Sequence, residues 1–251
     1  MAKSPLGVQV IARAAEVLRA LEGSAQGLSL GQLSRQLDLP KSTVQRIVAA
    51  LDTERFVIAS TPGAGVRLGL ALVRIARSAR FGLAELAHAS LEQLAQRTGE
   101  TVDLAVLDGS KAIFVDHIEG SRRLRAVSAI GISFPLHCSA NGKALLAALD
   151  QSALLQLKKT IELTRFTPNS ICTWSQLETD LEQIRATAIA FDNEEHTQGI
   201  SAVGSFINGP EGELAAISVP TPSVRFAGKK QELEAALIDC RNELIERFGH
   251  R

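Results

Sequence analysis

Cysteine is scarce in this sequence. Cys138, Cys172 and Cys240 are widely spaced, odd in number and include no Cys-x-x-Cys pair. A disulfide framework or a structural zinc site needs more thiols at closer spacing, so these three read as reduced, partly buried side chains. Long apolar runs are also missing, and nothing approaches the ~20 residues that span a bilayer. The opening stretch, MAKSPLGVQV, has neither a signal-peptide core nor a small-residue cleavage pattern, which makes the cytoplasm the expected location. Gly-x-Ser-x-Gly, the phosphate-binding loop, Gly-x-Gly-x-x-Gly and His-Glu-x-x-His are all absent, as are internal repeats and low-complexity segments.

What remains is a chain of 251 residues, 45% apolar and 22% charged, as expected for one large globular domain or two ordinary ones. Its net charge is zero, but residues 1–90 hold eleven Lys and Arg against six Asp and Glu, and residues 91–251 hold sixteen against twenty-one. A basic end joined to an acidic remainder points to nucleic-acid binding by the basic part.

Helical periodicity supports that reading. Ile11, Ala14, Ala15, Leu18 and Leu21 form one stripe, and Leu30, Leu33 and Leu37 a second, opened by a Ser29-x-x-Gln32 capping box. After the turn DLPK, Val44, Ile47, Val48 and Leu51 make the buried face of a third helix, with Ser42 and Gln45 set for another capping box. β-prone runs at Phe56–Ala59 and Val66–Leu68 flank the turn TPGAG. Three one-faced helices and a hairpin make a winged helix-turn-helix. In that fold the helix from about residue 41 enters the major groove of double-stranded DNA. Its N-terminal part shows Lys41, Ser42, Thr43, Gln45 and Arg46, of which Gln suits adenine and Arg suits guanine or a phosphate. Ala49 permits close approach to the duplex, Arg67 sits on the wing, and Ser29 is the remaining candidate DNA contact. The rival reading is a three-helix domain that docks a protein.

Leu70 to Arg80 is a further apolar helix carrying Arg74, Arg77 and Arg80. It reads as a linker whose aliphatic face pairs with its copy in a second subunit or packs into the chain's own core. A helix over 83–97 follows. TVDLAVLDGSKAIFVDHI is a hairpin turning at Asp108-Gly109-Ser110, with a short strand expected at 124–127 and a helix from about Ser139. A helix over 174–186, a second hairpin around NGPEG and a closing helix over 228–248 complete an α+β domain with a mostly antiparallel sheet. The expected division is 1–69 winged helix-turn-helix, 70–82 linker helix and 83–251 second domain.

Enzymatic readings fare poorly. His137 and Cys138 are adjacent, and adjacent residues on an extended strand face opposite ways, which does not make a nucleophile–base pair. A metal site from Asp192, Glu194, His196 and His137 is the weaker alternative, and no cofactor is called for.

Three segments carry a family resemblance: LSLGQLSRQLDLPKSTVQRIVAALDTERFV, FPLHCSANGKALLAAL, and IAFDNEEHTQGISAVGSFINGPEGELAAISVPTPSVRF. Through them the chain resembles the IclR family of bacterial transcriptional regulators along nearly its full length. The resemblance implies a dimer or tetramer on a palindromic operator and a GAF-like second domain that binds a small organic or aromatic acid. It also implies repression of a catabolic operon, although some members activate.

The residues of SANGKALLAAL suit such a ligand. Ser139 is a good N-cap, and the N–H groups of Ala140, Asn141 and Gly142 lie at a helix N-terminus that favours an anion. Gly142 lets a ligand or another backbone come near, and Lys143 adds charge or is simply solvated. The resemblance places the effector between this helix start, Asp192, Ala202, Ser218 and Pro220. Asp192 would accept from a ligand hydroxyl or hold a water, or else serve only as a cap. Ala202 stands where a cysteine is common in the family and Pro220 where a serine is common, which implies a less polar ligand than a small keto acid.

Overall fold

The computed structural model describes residues 9–22, 24, 26–59, 65–78 and 82–249, with only the backbone at 76–78. It divides into two compact units, Met1–Arg80 and Phe81–Arg251, a division that falls inside the 70–82 segment.

In the first unit α1 (Gln9–Ala20), α2 (Leu30–Gln36) and α3 (Lys41–Thr53) bury one apolar face each. Val17, Leu21, Leu33, Val44, Ile47, Val48 and Leu51 meet in a single core. The stripe expected on α1 shifts along the helix: Ile11 is 66% exposed, whereas Val17 is fully buried. The Ser29–Gln32 capping box forms at α2. The second expected box does not form at α3. The carbonyl of Pro40 accepts from the N–H groups of Thr43 and Val44, so the helix starts at Lys41 behind an N-cap without a side-chain bond. Ser42 already lies inside the first turn. The DLPK turn is tight because Asp38 takes a left-handed conformation, φ 49°.

β1 (Val57–Ile58) and β2 (Arg67–Leu68) pair antiparallel as the wing. Most of the TPGAG turn, residues 61–64, lies outside the described residues. α4 (Leu70–Ser78) follows, and the expected helical end at Arg80 also lies outside them.

The second unit is a six-stranded antiparallel sheet of order β5-β4-β3-β8-β7-β6 between two helical layers. α5 (Gly82–Thr98) leads into β3 (Val102–Asp108) and β4 (Lys111–Ile118). Their hairpin turns on Gly109 and Ser110, with Asp108 paired to Lys111. The strand expected at 124–127 is absent. Residues 119–132 are irregular, and the edge strand is β5 (Ser133–Pro135). α6 (Ala140–Ala148), α7 (Gln151–Leu157) and α8 (Trp174–Thr187) come next, then β6 (Ala190–Asn193), β7 (Ile200–Asn208), β8 (Leu214–Pro222) and α9 (Ser223–Gly249).

Both faces of the sheet are covered, so its central strands are apolar in succession. Leu104, Val203, Ile217 and Val219 face α5 and α9, while Ala105, Ala190, Ala216 and Phe206 face α6 and α8. The second set contains many small residues, which lets α6 lie close to the strands. Every residue of α6 from Ala140 to Ala147 is buried. Among the described residues no helix is long and apolar enough to cross a membrane.

Candidate DNA-reading head and effector site

α3 presents its polar face because its apolar residues are anchored beneath. Lys41, Ser42, Gln45 and Arg46 are exposed, and Thr43 is half-buried. Without a side-chain cap, N–H groups of the first turn stay free for a phosphate. Arg67 is exposed on the wing. Ser29 is less available. Its hydroxyl donates to Gln32 Oε1 at 2.8 Å and accepts from Gln32 N at 3.2 Å, so its proton is committed to the cap.

The effector residues named from sequence fall into two groups. Ser139 and Gly142 build the start of α6. Ser139 Oγ donates to the carbonyl of Pro135 at 2.7 Å and accepts from Gly142 N at 3.2 Å. The Gly142 N–H is therefore occupied, which corrects the expectation that three successive N–H groups are free. Gly142 is also needed for backbone packing, since a Cβ there would stand 2.4 Å from Leu136 Cα. The N–H groups of Ala140 and Asn141 keep no intrahelical acceptor.

The other six share one side of the sheet. Asp192 pairs with Ala202, which pairs with Pro220, and two residues along Gly204 pairs with Ser218. Directly opposed residues of antiparallel strands share a face. A Cβ on Gly204 would lie 3.1 Å from Ala140, so this is the face that α6 covers. Ala140, Asn141, Asp192, Ala202 and Ser218 are all buried there. The Asn141 side-chain nitrogen is enclosed without a hydrogen-bond partner, an uncommon condition for a buried donor.

Lys143 takes neither role expected of it. It is fully buried and bonds Glu195 at 2.7 and 2.9 Å, with Asp180 at 2.6 Å. Its charge thus pins the 193–196 turn instead of facing a ligand. Asp192 Oδ1 caps that turn by accepting from Glu195 N at 2.7 Å. Burial, with the nearby Glu195 charge adding to it, pushes the Asp192 carboxyl up to about 7. Burial likewise raises Cys138 to about 12, which leaves the thiol inert.

Three residues on this face escaped notice in the sequence. The row through Ser218 continues to Asp103 and then His117. His117 Nδ1 lies 2.8 Å from Asp103 Oδ1, and Ser128 donates to Asp103 at 2.5 Å, bringing the 119–132 segment onto the row. The hydrogen bond to Asp103 raises the pKa of His117. The available signal was an aspartate at an inward position of the otherwise apolar strand VDLAVL. Among the described residues no group of three His, Cys, Asp or Glu is placed to hold a metal ion.

Two family models match the chain: the bacterial transcriptional regulator IclR C-terminal domain over residues 76–245 and the IclR helix-turn-helix domain over residues 10–58. The chain is 44% identical to the HTH-type transcriptional regulator Rv1719 of Mycobacterium tuberculosis over 232 residues, covering 92% of this chain and 89% of that one. It is 32% identical to the HTH-type transcriptional repressor AllR of Escherichia coli over 223 residues, covering 88% and 82%. Among solved structures it resembles IclR of Thermotoga maritima, with a TM-score of 0.73 at 28% identity, covering 97% and 100% of the two chains. These relatives are regulators and not enzymes, and their domain order matches the two units described above. The chain belongs to the IclR family of bacterial transcriptional regulators, with an N-terminal helix-turn-helix for DNA and a C-terminal effector domain.

Proposed function

We propose that the protein is a dimeric or tetrameric repressor of a catabolic operon that leaves its palindromic operator when a small organic acid binds the second unit. The observation that carries the effector site is the buried, unpartnered Asn141 amide. It sits in the first turn of α6, on the face shared with Asp192 and Ser218. A carboxylate there would accept from this amide and from the free N–H groups of Ala140 and Asn141, with the helix dipole in its favour. Ala202 and Pro220 supply apolar wall, which favours an aromatic or longer acid over a two-carbon one. With its carboxyl raised to about 7, Asp192 is partly protonated at neutral pH and then donates to an anionic ligand.

Repression is supported by the likeness to AllR of Escherichia coli, a transcriptional repressor. On the DNA side the reading residues are Lys41, Ser42, Thr43, Gln45 and Arg46 on α3, with Arg67 on the wing and Ser29 holding α2 in place. The test is a thermal-shift titration with benzoate and with glyoxylate, on the wild type and Asn141→Ala. At ~100 times its dissociation constant a ligand adds roughly 2.7 kcal/mol of stability. Benzoate is expected to give the larger shift and to lose it in the variant. Stabilisation by glyoxylate alone would refute the apolar-wall reading. Release of operator DNA by the stabilising acid would establish repression, and tighter operator binding in its presence would indicate that the acid acts as a corepressor or coactivator.

A further inference from the structure

The connection from β4 to β5, residues 119–132, has no regular structure, yet both of its ends are fixed. The first part is tied to the start of β3. Gly120 N donates to Thr101 Oγ1 at 3.3 Å, and Thr101 Oγ1 donates to the carbonyl of Ala126 at 2.8 Å. Arg122 Nε lies 3.0 Å from Glu100 Oε1. Glu100 is fully buried and also takes Arg225, whose guanidinium donates to the carbonyl of Leu124 at 2.8 Å. The last part is tied to β4. Gly131 N donates to the carbonyl of Phe114 at 2.8 Å, and Phe114 N to that of Ile132 at 3.0 Å. Gly131 turns the chain there with a φ of 88°, which glycine adopts without strain.

Residues 127–130 form an arch between these two anchors. Val127 is 84% and Ile130 64% exposed, so little apolar burial holds the arch down. Among the described residues its one hydrogen-bonding tie to the sheet is Ser128. The Ser128 hydroxyl donates to Asp103 Oδ1 at 2.5 Å and lies 2.9 Å from His117 Nδ1. A segment with few buried contacts and one tie belongs to the part of a structure that opens most easily.

The tie lands on the effector face. Gly204, Ser218, Asp103 and His117 form one row across four strands. α6 covers the Gly204 end of the row, and the arch reaches the Asp103 end. Strands lie about 4.8 Å apart, which puts the two covers roughly 10 Å from each other with Ser218 between them. Asp103 is 1% and Ser218 3% exposed, so one cover must move before a molecule reaches this strip. α6 is buried along its length and held by the Lys143 pairs to Glu195 and Asp180. The arch is held by one hydroxyl, and it is the cover that yields first.

We propose that residues 127–130 are a gate, latched by Ser128 on Asp103, which opens to admit small molecules past Asp103 and Ser218 to the first turn of α6. What passes in service rests on the effector reading above, whereas the opening of the gate does not. The latch governs speed and not affinity. A cover that closes equally over the empty and the filled site changes entry and exit by the same factor.

The first probe is iodoacetamide, applied to the full chain carrying the near-isosteric Ser218→Cys, with alkylation followed residue by residue by mass spectrometry. Adding Ser128→Ala should speed alkylation at position 218 about ten-fold, the worth of one hydrogen bond to a carboxylate. Cys240, buried on the opposite face among α5 and α9, should keep its rate and serves as the reference for global unfolding. Ser128→Thr, which retains the hydroxyl, should stay near the parent rate. An unchanged rate at 218, equal acceleration at 218 and Cys240, or a Ser128→Thr chain as fast as Ser128→Ala would each overturn the gate. The second probe is benzoate, with entry and exit rates measured by NMR exchange on the chain with its native Ser218. Ser128→Ala should raise both rates by a common factor and leave the dissociation constant unchanged. Weaker binding at an unchanged entry rate would make Ser128 a ligand contact and overturn the gate. If benzoate fails to bind at all, the effector reading falls, and the alkylation rates still decide the gate.

Discussion

Lys143 shows how far a single side chain departs from its pattern. A lysine in the first turn of a helix is ordinarily solvated, yet here it is buried against Glu195 and Asp180. Removing one partner of a buried pair costs about 3–5 kcal/mol, because the charge left behind stays unpaired. Lys143→Met is therefore expected to lower the melting temperature by roughly ten degrees, and adding Glu195→Gln should restore much of the loss. Thermal melts of the two variants check this. Asp192 makes a prediction in pH. Its folded pKa, about 7, stands above the ordinary 3.8. Its contribution to stability is thus complete below the ordinary value and lost as pH rises through 7. Melting curves at pH 5 and pH 8 should differ more in the wild type than in Asp192→Asn, where that titration is gone. An equal difference would show that other groups dominate. Sequence alone revealed Ser29 and Ser139 because caps are local signals, whereas Asp192 was named through the family resemblance. The sequence did not reveal the buried partners of Lys143, nor Asp103 or Ser128, because these contacts span 52, 14 and 25 residues.

At the scale of elements, periodicity served where a helix has one wet face. The stripe of α3 was legible to the residue, and Arg46→Ala is expected to cost about 1–3 kcal/mol on operator DNA if the guanidinium meets guanine. Competition between matched and mismatched operators reads this, and equal loss on all sequences would place Arg46 on a phosphate. α4 keeps Leu70 76% and Val73 51% exposed, which fits the proposed pairing with a second subunit. Leu70→Glu with Val73→Glu should then shift sedimentation toward smaller species, and an unchanged mass would place the subunit contact elsewhere. Periodicity failed for residues 119–135. The β-prone stretch at 124–127 is held by its backbone, with Thr101 donating to the carbonyl of Ala126 and Arg225 to that of Leu124, while pairing with β4 fell to Ser133–Pro135. β-propensity alone does not tell which of two neighbouring segments reaches an edge.

The charge asymmetry of the whole molecule sharpens at the structural division. Residues 1–80 hold eleven Lys and Arg against five Asp and Glu, and residues 81–251 hold sixteen against twenty-two. Operator affinity should accordingly fall steeply with salt through counterion release. The proposed switch carries a stricter requirement. If the acid lowers operator affinity by some factor, operator DNA must lower acid affinity by the same factor. Calorimetry of the acid with and without saturating operator tests that equality, and unequal factors would mean that a third state, such as a change of assembly, is involved.

α6 is enclosed on every side from Ala140 to Ala147, and its start cannot accept a Cβ at Gly142. No small local opening exposes such a helix to solvent. Its hydrogen-bonded amides, from Gly142 onward, are therefore expected to exchange with deuterium only when the second unit unfolds globally, among the slowest in the molecule. The same helix start carries the proposed effector contacts, so ligand binding should appear there as a shift of the global unfolding equilibrium, and the exchange rates of α6 would report occupancy without any label on the ligand.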